Sequence, residues 1–399
     1  MTLKDQVMHI LEESRVTELK FLANLTDEDR TYEGTYEKWS AKDNVAHANY
    51  WEDVRATRAR GWIRGETLDS IPQFEQANAE CYDRFRTSTW DEIEAFAEQT
   101  HTKMVQTVGD IDEDRLVGPS EESEGRKLWE SIVGSAYTHK LMHYAQFFME
   151  RGRKIEASHL WSEWAGLVSP LDAGPEWQGG VHYNAACGMA LAGDHEGALE
   201  KLRQGLELRP GLKAWSRRDS DLEILHELPE YKELYAPAYW WEALEANPQA
   251  EALADQFMRA LSMFRIVVSA FPEEAWFVGE TLYQRPAGLT LHIVQSIHYY
   301  SARKPGEHLE DALTHVNWQE RDASKLPSRS ELLAFHSKVE ERLAKFIAES
   351  DFSAQEELFP WTGFTIMSRL LFTIRHMQHH LADLTTELQR RGVRAPDWQ

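Results

Sequence analysis

The stretch RHMQHHLADL, Arg375 to Leu384, puts His376, His379 and His380 within five positions. Residues four apart share one face of an α-helix, so His376 and His380 can aim their imidazoles at one point while His379 points elsewhere. A second stretch, THKLMH, Thr138 to His143, repeats only that pair: His139 and His143 match, and Met142 stands where His379 stands. A lone histidine precedes each pair by some 90 residues, His47 in the first half and His292 in the second. The flanks agree as well. Leu25-Thr-Asp-Glu-Asp-Arg30 and Phe271-Pro-Glu-Glu-Ala-Trp276 are each an apolar residue and an acidic turn after a long apolar-periodic segment. The order is the same twice, so one helical domain type is expected to occur twice.

Two imidazoles from one helix and a third from another make a three-nitrogen site. Such a site leaves a coordination position open, as expected of a catalytic centre rather than a closed structural one. Imidazole nitrogen suits zinc, nickel, iron or copper. A bound divalent ion lowers the pKa of a water or thiol and supplies a nucleophile near neutral pH. The plainer reading is that a histidine on an apolar face is a hydrogen-bonded core residue, and 17 histidines in 399 residues bring some HxxxH pairs together by chance. The duplicated order is what favours ligands. His298 competes with His292, but the two are six apart and point in different directions, and the alignment of the halves favours His292. Glu52, five residues after His47, reads either as a solvated carboxylate or as an acceptor that orients an imidazole. No P-loop, GxGxxG or nucleophile elbow is present, and neither Cys81 nor Cys187 carries a catalytic signature.

Lys plus Arg is 43 and Asp plus Glu is 66, giving a formal charge of −23. A chain this acidic, without a basic run, is repelled by phosphate backbones, so no nucleic-acid partner is expected. No stretch has the roughly 18 apolar residues of a membrane span, and the charged start MTLKDQVMHILEESR is no signal peptide. Two distant cysteines make no disulfide framework and fit a reducing cytoplasm. Apolar residues recur at three- and four-residue spacing, which predicts an all-α fold. Ser40-Ala41-Lys42-Asp43 and Ser328-Arg329-Ser330-Glu331 have the form of capping boxes. Breaks are expected near Gly118-Pro119, from Ser169-Pro170 to Gly179-Gly180, at Pro237 and around Lys304-Pro305-Gly306. Between the halves, AACGMALAGDHEGALEKLRQGLELRP has small residues at Ala186, Ala198 and Gly205 and a stop at Pro210. It resembles one tetratricopeptide (TPR) unit.

Trp39-Ser40-Ala41-Lys42-Asp43-Asn44-Val45-Ala46-His47 resembles the opening of the second helix in DinB/YfiT-like four-helix bundles, closest to the ClbS/DfsB branch. His139-x3-His143 falls where that superfamily carries its last two ligands. Thr373 to Leu384 resembles the same signature, although the second half has Arg285-Pro286-Ala287-Gly288-Leu289 in place of the Trp-Ser-x-Lys-Asp opening. The resemblance implies a bundle over residues 1–152, a TPR-like connector over 153–239 and a second bundle over 240–399. It implies two divalent-metal sites, His47, His139 and His143 in one and His292, His376 and His380 in the other, holding zinc, nickel or iron. It further implies a detoxifying S-transferase or hydrolase that acts on an electrophilic small molecule, with a low-molecular-weight thiol as co-substrate. Two rival readings stand beside it. One is a non-enzymatic scaffold that binds a protein partner at the TPR-like segment. The other is a metal-independent self-resistance hydrolase of the ClbS/DfsB kind. A homodimer is compatible with all three.

Overall fold

Helix starts organise the structure, and the sequence marks them. Ser40 accepts from the Asp43 N–H at 3.1 Å while the Asp43 carboxylate takes the Ser40 N–H at 2.8 Å, closing the expected capping box. Ser328 and Glu331 close the same box ahead of a later helix. The structure, a computed structural model, describes residues 2–68, 73–120, 126–209, 211–235 and 239–393. Among them every regular element is helical and extended pairing is confined to isolated bridges, as the periodicity predicts. The breaks expected at Pro210 and Pro237 lie outside the described residues. The chain divides into two compact units, Met1–Gln204 and Gly205–Gln399.

The first unit is built on helices α1 (Leu3–Ala23), α2 (Ala41–Ile63), α3 (Phe74–Phe85), α4 (Trp90–Gly109), α5 (Leu128–Val133) and α6 (His139–Glu150). Helices α1 and α2 each pack against both α4 and α6. The stripe Val7, Ile10, Leu11 and Phe21 of α1 meets Ile93, Ala97, Met104 and Val108 of α4 and Leu141, Tyr144 and Phe148 of α6. Each of the Val, Ile, Leu, Phe and Met side chains among them, fully buried, contributes about 1.5–3 kcal/mol. A π-helical turn, Gly134–Thr138, joins α5 to α6; such turns often re-aim side chains at functional positions. The unit continues through α7 (Lys154–Val168), α8 (Pro175–Leu191) and α9 (His195–Leu208), and its boundary falls within α9.

Between α1, α2 and α6 lies a buried charge cluster. The Lys140 ammonium sits 2.6 Å from Glu52 and 3.2 Å from Glu18. Glu18 also accepts from Tyr144 Oη and Asn49 Nδ2, each at 2.7 Å. The structure thus gives Glu52 to Lys140, neither to solvent nor to an imidazole. Breaking such a buried pair on one side costs about 3–5 kcal/mol, because the remaining charge is stranded.

The second unit contains α10 (Tyr239–Ala246), α11 (Pro248–Ala270), α12 (Pro286–Tyr300), α13 (Arg329–Glu349) and α14 (Ile366–Arg390). Helices α11 and α12 each pack against both α13 and α14, the pairing scheme of the first unit. Helix α12 has no capping side chain; Pro286 opens it instead, where the missing N–H costs nothing. The segment ahead of α14 is pinned by a buried Arg369–Glu356 pair at 2.7 Å, with Arg369 also donating to the Ala302 carbonyl at 2.8 Å. Among the described residues no helix is long and apolar enough to cross a membrane.

Candidate metal centres

Helices α2 and α6 bring His47, His139 and His143 together. One ring nitrogen of each lies within 4.8 Å of the others, and the ring centroids of His47 are 5.0 Å from His139 and 4.6 Å from His143. His139 and His143, one turn apart on α6, face each other Nε2 to Nε2 at 3.0 Å. Two nitrogens bound at ~2.1 Å to one ion, at angles between octahedral and tetrahedral, lie about 3.0–3.4 Å apart, so the α6 pair is already at ligand spacing. Burial pushes the ring of His47 down to about 2, with His143 and His139 adding repulsion. Burial lowers His139 to about 4, with Lys140 assisting, and His143 to about 3, with His139 assisting. The three rings are therefore neutral at physiological pH, the form a cation needs. The Nδ1 atoms of His47 and His139 are buried and have no hydrogen-bond partner.

An indole covers this triad. The Trp39 ring lies 4.4 Å from His47 and 5.7 Å from His143, nearly parallel to the latter. A tight turn sets it: Thr35 N–H donates to the Lys38 carbonyl at 2.8 Å and Trp39 Nε1 to the Tyr36 carbonyl at 3.0 Å. The turn closes onto the cap of α2 at Gly34, where a Cβ would stand 2.3 Å from both Asp43 Oδ2 and Ser40 N. Cys81 is buried nearby, its thiol pushed up to about 12 by burial, so it is no thiolate at neutral pH.

Helices α12 and α14 assemble the second group. His292, His376 and His380 place ring nitrogens within 4.8 Å of one another, with centroids 5.1, 4.9 and 4.7 Å apart. Burial, reinforced by the neighbouring histidines, lowers His292 and His376 to about 4. Here His380 Nδ1 has a carboxylate partner, Asp383 Oδ2 at 3.2 Å; such a partner favours the tautomer that leaves the lone pair on Nε2. Trp318 lies 4.3 Å from His292, and Tyr283 stacks on His380 at 5.8 Å. His379 is exposed and groups with His380 and Asp383, not with His292. His298, the rival to His292, is buried apart from the triad beside His308 and Phe335.

The sequence reading therefore names all six clustered histidines and omits their aromatic covers and Asp383. The signal for Asp383 is local, three residues beyond His380 on the same helix. Trp318 and Tyr283 reach the site through loops, and no spacing rule reveals them. The sequence model of the DinB superfamily matches residues 10–147, a span that contains the whole first triad. Residues 10–147 are thus similar to that superfamily. No curated protein and no solved structure was found to match the chain. Domains of that superfamily often bind a divalent metal, and the buried, neutral, convergent imidazoles of His47, His139 and His143 fit such an ion.

Proposed function

We propose that the chain is a metal-dependent enzyme with two DinB-like bundles, the second over residues 240–399, and that it attacks an electrophilic small molecule with activated water or a low-molecular-weight thiol. The supporting observation is that each unit gathers one histidine from its second long helix and an i, i+4 pair from a later helix into a triad within 4.8 Å. His47, His139 and His143 would hold one divalent ion, and His292, His376 and His380 the other, zinc, nickel or iron by ligand type. The chemistry such an ion supplies is Lewis acidity. The chain's own contributions are separate. Burial keeps His47, His139, His143, His292 and His376 neutral, the starts of α2 and α12 place His47 and His292, and Trp39 and Trp318 shield one side of each triad from water. Thiol transfer or hydrolysis, used in detoxification, is the reaction class this reading favours.

Elemental analysis tests it. The purified chain, reconstituted with zinc or nickel, should hold about two ions, and His47→Ala and His376→Ala about one each. Two ions in both variants, or none in the wild type, would sink the ligand assignment. One contact favours the rival, metal-independent hydrolase for the first unit. A neutral His139 can donate from Nε2 to His143 Nε2 across their 3.0 Å separation, so this pair is satisfied without a cation. On that reading one ion remains, and His376→Ala alone loses it.

A further inference from the structure

The buried charge cluster of the first unit has no counterpart at the matching positions of the second. Glu18 lies seven residues before Leu25, and Phe264 seven before Phe271. Asn49 and Glu52 follow His47 as Val294 and Ile297 follow His292, and Lys140 and Tyr144 follow His139 as Met377 and Leu381 follow His376. All ten side chains are buried, and the second set is apolar throughout. A buried ion pair adds little over well-packed apolar side chains of similar volume, so stability alone does not account for the polar set. Directed hydrogen bonds supply what apolar contact does not, a fixed register between helices. One oxygen of Glu18 on α1, Oε2, accepts from Asn49 Nδ2 and from Tyr144 Oη, each at 2.7 Å, and lies 3.2 Å from Lys140 Nζ. Asn49 is on α2, two residues beyond His47, while Lys140 and Tyr144 are on α6, each next to a triad histidine. Thus α1, which carries none of the three histidines, holds both helices that do. The rings themselves have less to guide them than in the second unit. Among the described residues Nδ1 of His47 and of His139 has no partner, whereas His380 Nδ1 has Asp383.

We propose that Glu18 is a positioning residue of the first triad: its Oε2 fixes the rotation of α2 and α6 about their axes, and with it the aim of His47 at the His139–His143 pair. Turning α6 moves both of its imidazoles together, because they share one face, so the pair keeps its own spacing and loses its convergence with His47. The inference rests on the reading of the triad as a metal centre only where metal affinity is measured. The aim of the rings belongs to the metal-free chain.

Cobalt titration of the full chain, followed by its visible d–d bands, tests this in a His376→Ala background, where only the first triad reports. Tyr144→Phe removes one donor and keeps the ring that stacks on Phe21, so it tests the proposal even if Glu18→Gln, which removes the charge facing Lys140, does not fold. Each should lower the cobalt affinity about tenfold and alter the bands; a loss in one alone assigns the hold to that contact. Exchanging the whole set for its second-unit counterparts (Glu18→Phe, Asn49→Val, Glu52→Ile, Lys140→Met and Tyr144→Leu) should lose the same affinity and leave the urea midpoint no lower. In a His47→Ala background the same changes should leave the affinity of the second triad as it was. Unchanged cobalt affinity in both Tyr144→Phe and Glu18→Gln, or an equal loss at the two triads, overturns the proposal and leaves the cluster a part of the core. If the parent takes up no cobalt, the metal reading of the first triad fails, and magnetic cross-relaxation between ring protons in the histidine-labelled, metal-free chain decides. A weaker contact of His47 with His139 and His143 in Tyr144→Phe, with that of His292 and His380 intact, supports the positioning role. An unchanged contact overturns it.

Discussion

At His380 the second triad has something the first lacks. Its Nδ1 is 3.2 Å from the Asp383 carboxylate, whereas the Nδ1 atoms of His47 and His139 are buried without a partner. A carboxylate on the far ring nitrogen holds the tautomer that presents a lone pair at Nε2, and losing such a partner typically weakens metal affinity about 10–100-fold. Asp383→Asn is therefore expected to lower the zinc affinity of the second unit by that factor and leave the first unit's unchanged. Competition against a chromophoric chelator, run in a His47→Ala background so that only the second site reports, measures it. An affinity equal to that of the His47→Ala parent would show that Asp383 does not support the ligand. At this scale His376 with His380 and His139 with His143 follow from spacing, while Asp383 was not singled out although it lies on the same helix three residues beyond His380. Trp318 on His292 does not follow, because a loop delivers it from another part of the fold.

Among the elements, the two starts that place His47 and His292 solve one problem by different means. In the first unit a serine–aspartate box begins α2 and the turn at Gly34 lies against it, bringing Trp39 onto His47. In the second unit Pro286 begins α12, and the carbonyl of Trp318 comes so close to Gly288 that a Cβ there would stand 2.8 Å from it. That approach lays the indole on His292, one turn further along. The capping boxes were legible because they are local patterns, while the use of Gly288 was not, because its neighbour is thirty residues away. Substituting glycine by alanine inside a helix ordinarily stabilises by about 1 kcal/mol. At Gly288 the added methyl meets backbone, which cannot rotate away as a side chain can, and overpacking of that kind costs about 1–3 kcal/mol. Gly288→Ala should consequently lower the urea midpoint and displace Trp318 from His292. A midpoint equal to or above the wild type's would show that the loop gives way freely and that the glycine is not what seats the indole.

Across the whole molecule, the all-α class and the doubled histidine order could be read from periodicity and spacing, but the buried ionisable groups could not. Nothing in the sequence pairs Glu18, Glu52 and Lys140, and only their packing shows one buried cluster. The histidines were likewise legible as groups that converge but not as buried bases. His336 is the clearest case. It is fully buried, stacked on Phe264 at 4.8 Å, with neither ring nitrogen hydrogen-bonded. Burial pushes it to about 4, outweighing the attraction of Glu340 while Arg265 adds to the depression. His298 is held at about 4 by burial and by Arg342. Since these values lie below the ordinary 6.5, the unfolded chain binds more protons than the folded one between about pH 4 and 6.5, and stability falls as pH drops through that window. For His336 alone the loss between pH 7 and pH 5 is about 2 kcal/mol. Metal-free protein is therefore expected to show a distinctly lower urea midpoint at pH 5 than at pH 7, and His336→Leu to narrow the gap by about that amount, because leucine takes no proton and leaves no polar atom unpaired. An unchanged midpoint between the two pH values, or the same gap in the variant, would mean that the His336 ring finds a proton-compatible partner in the folded state.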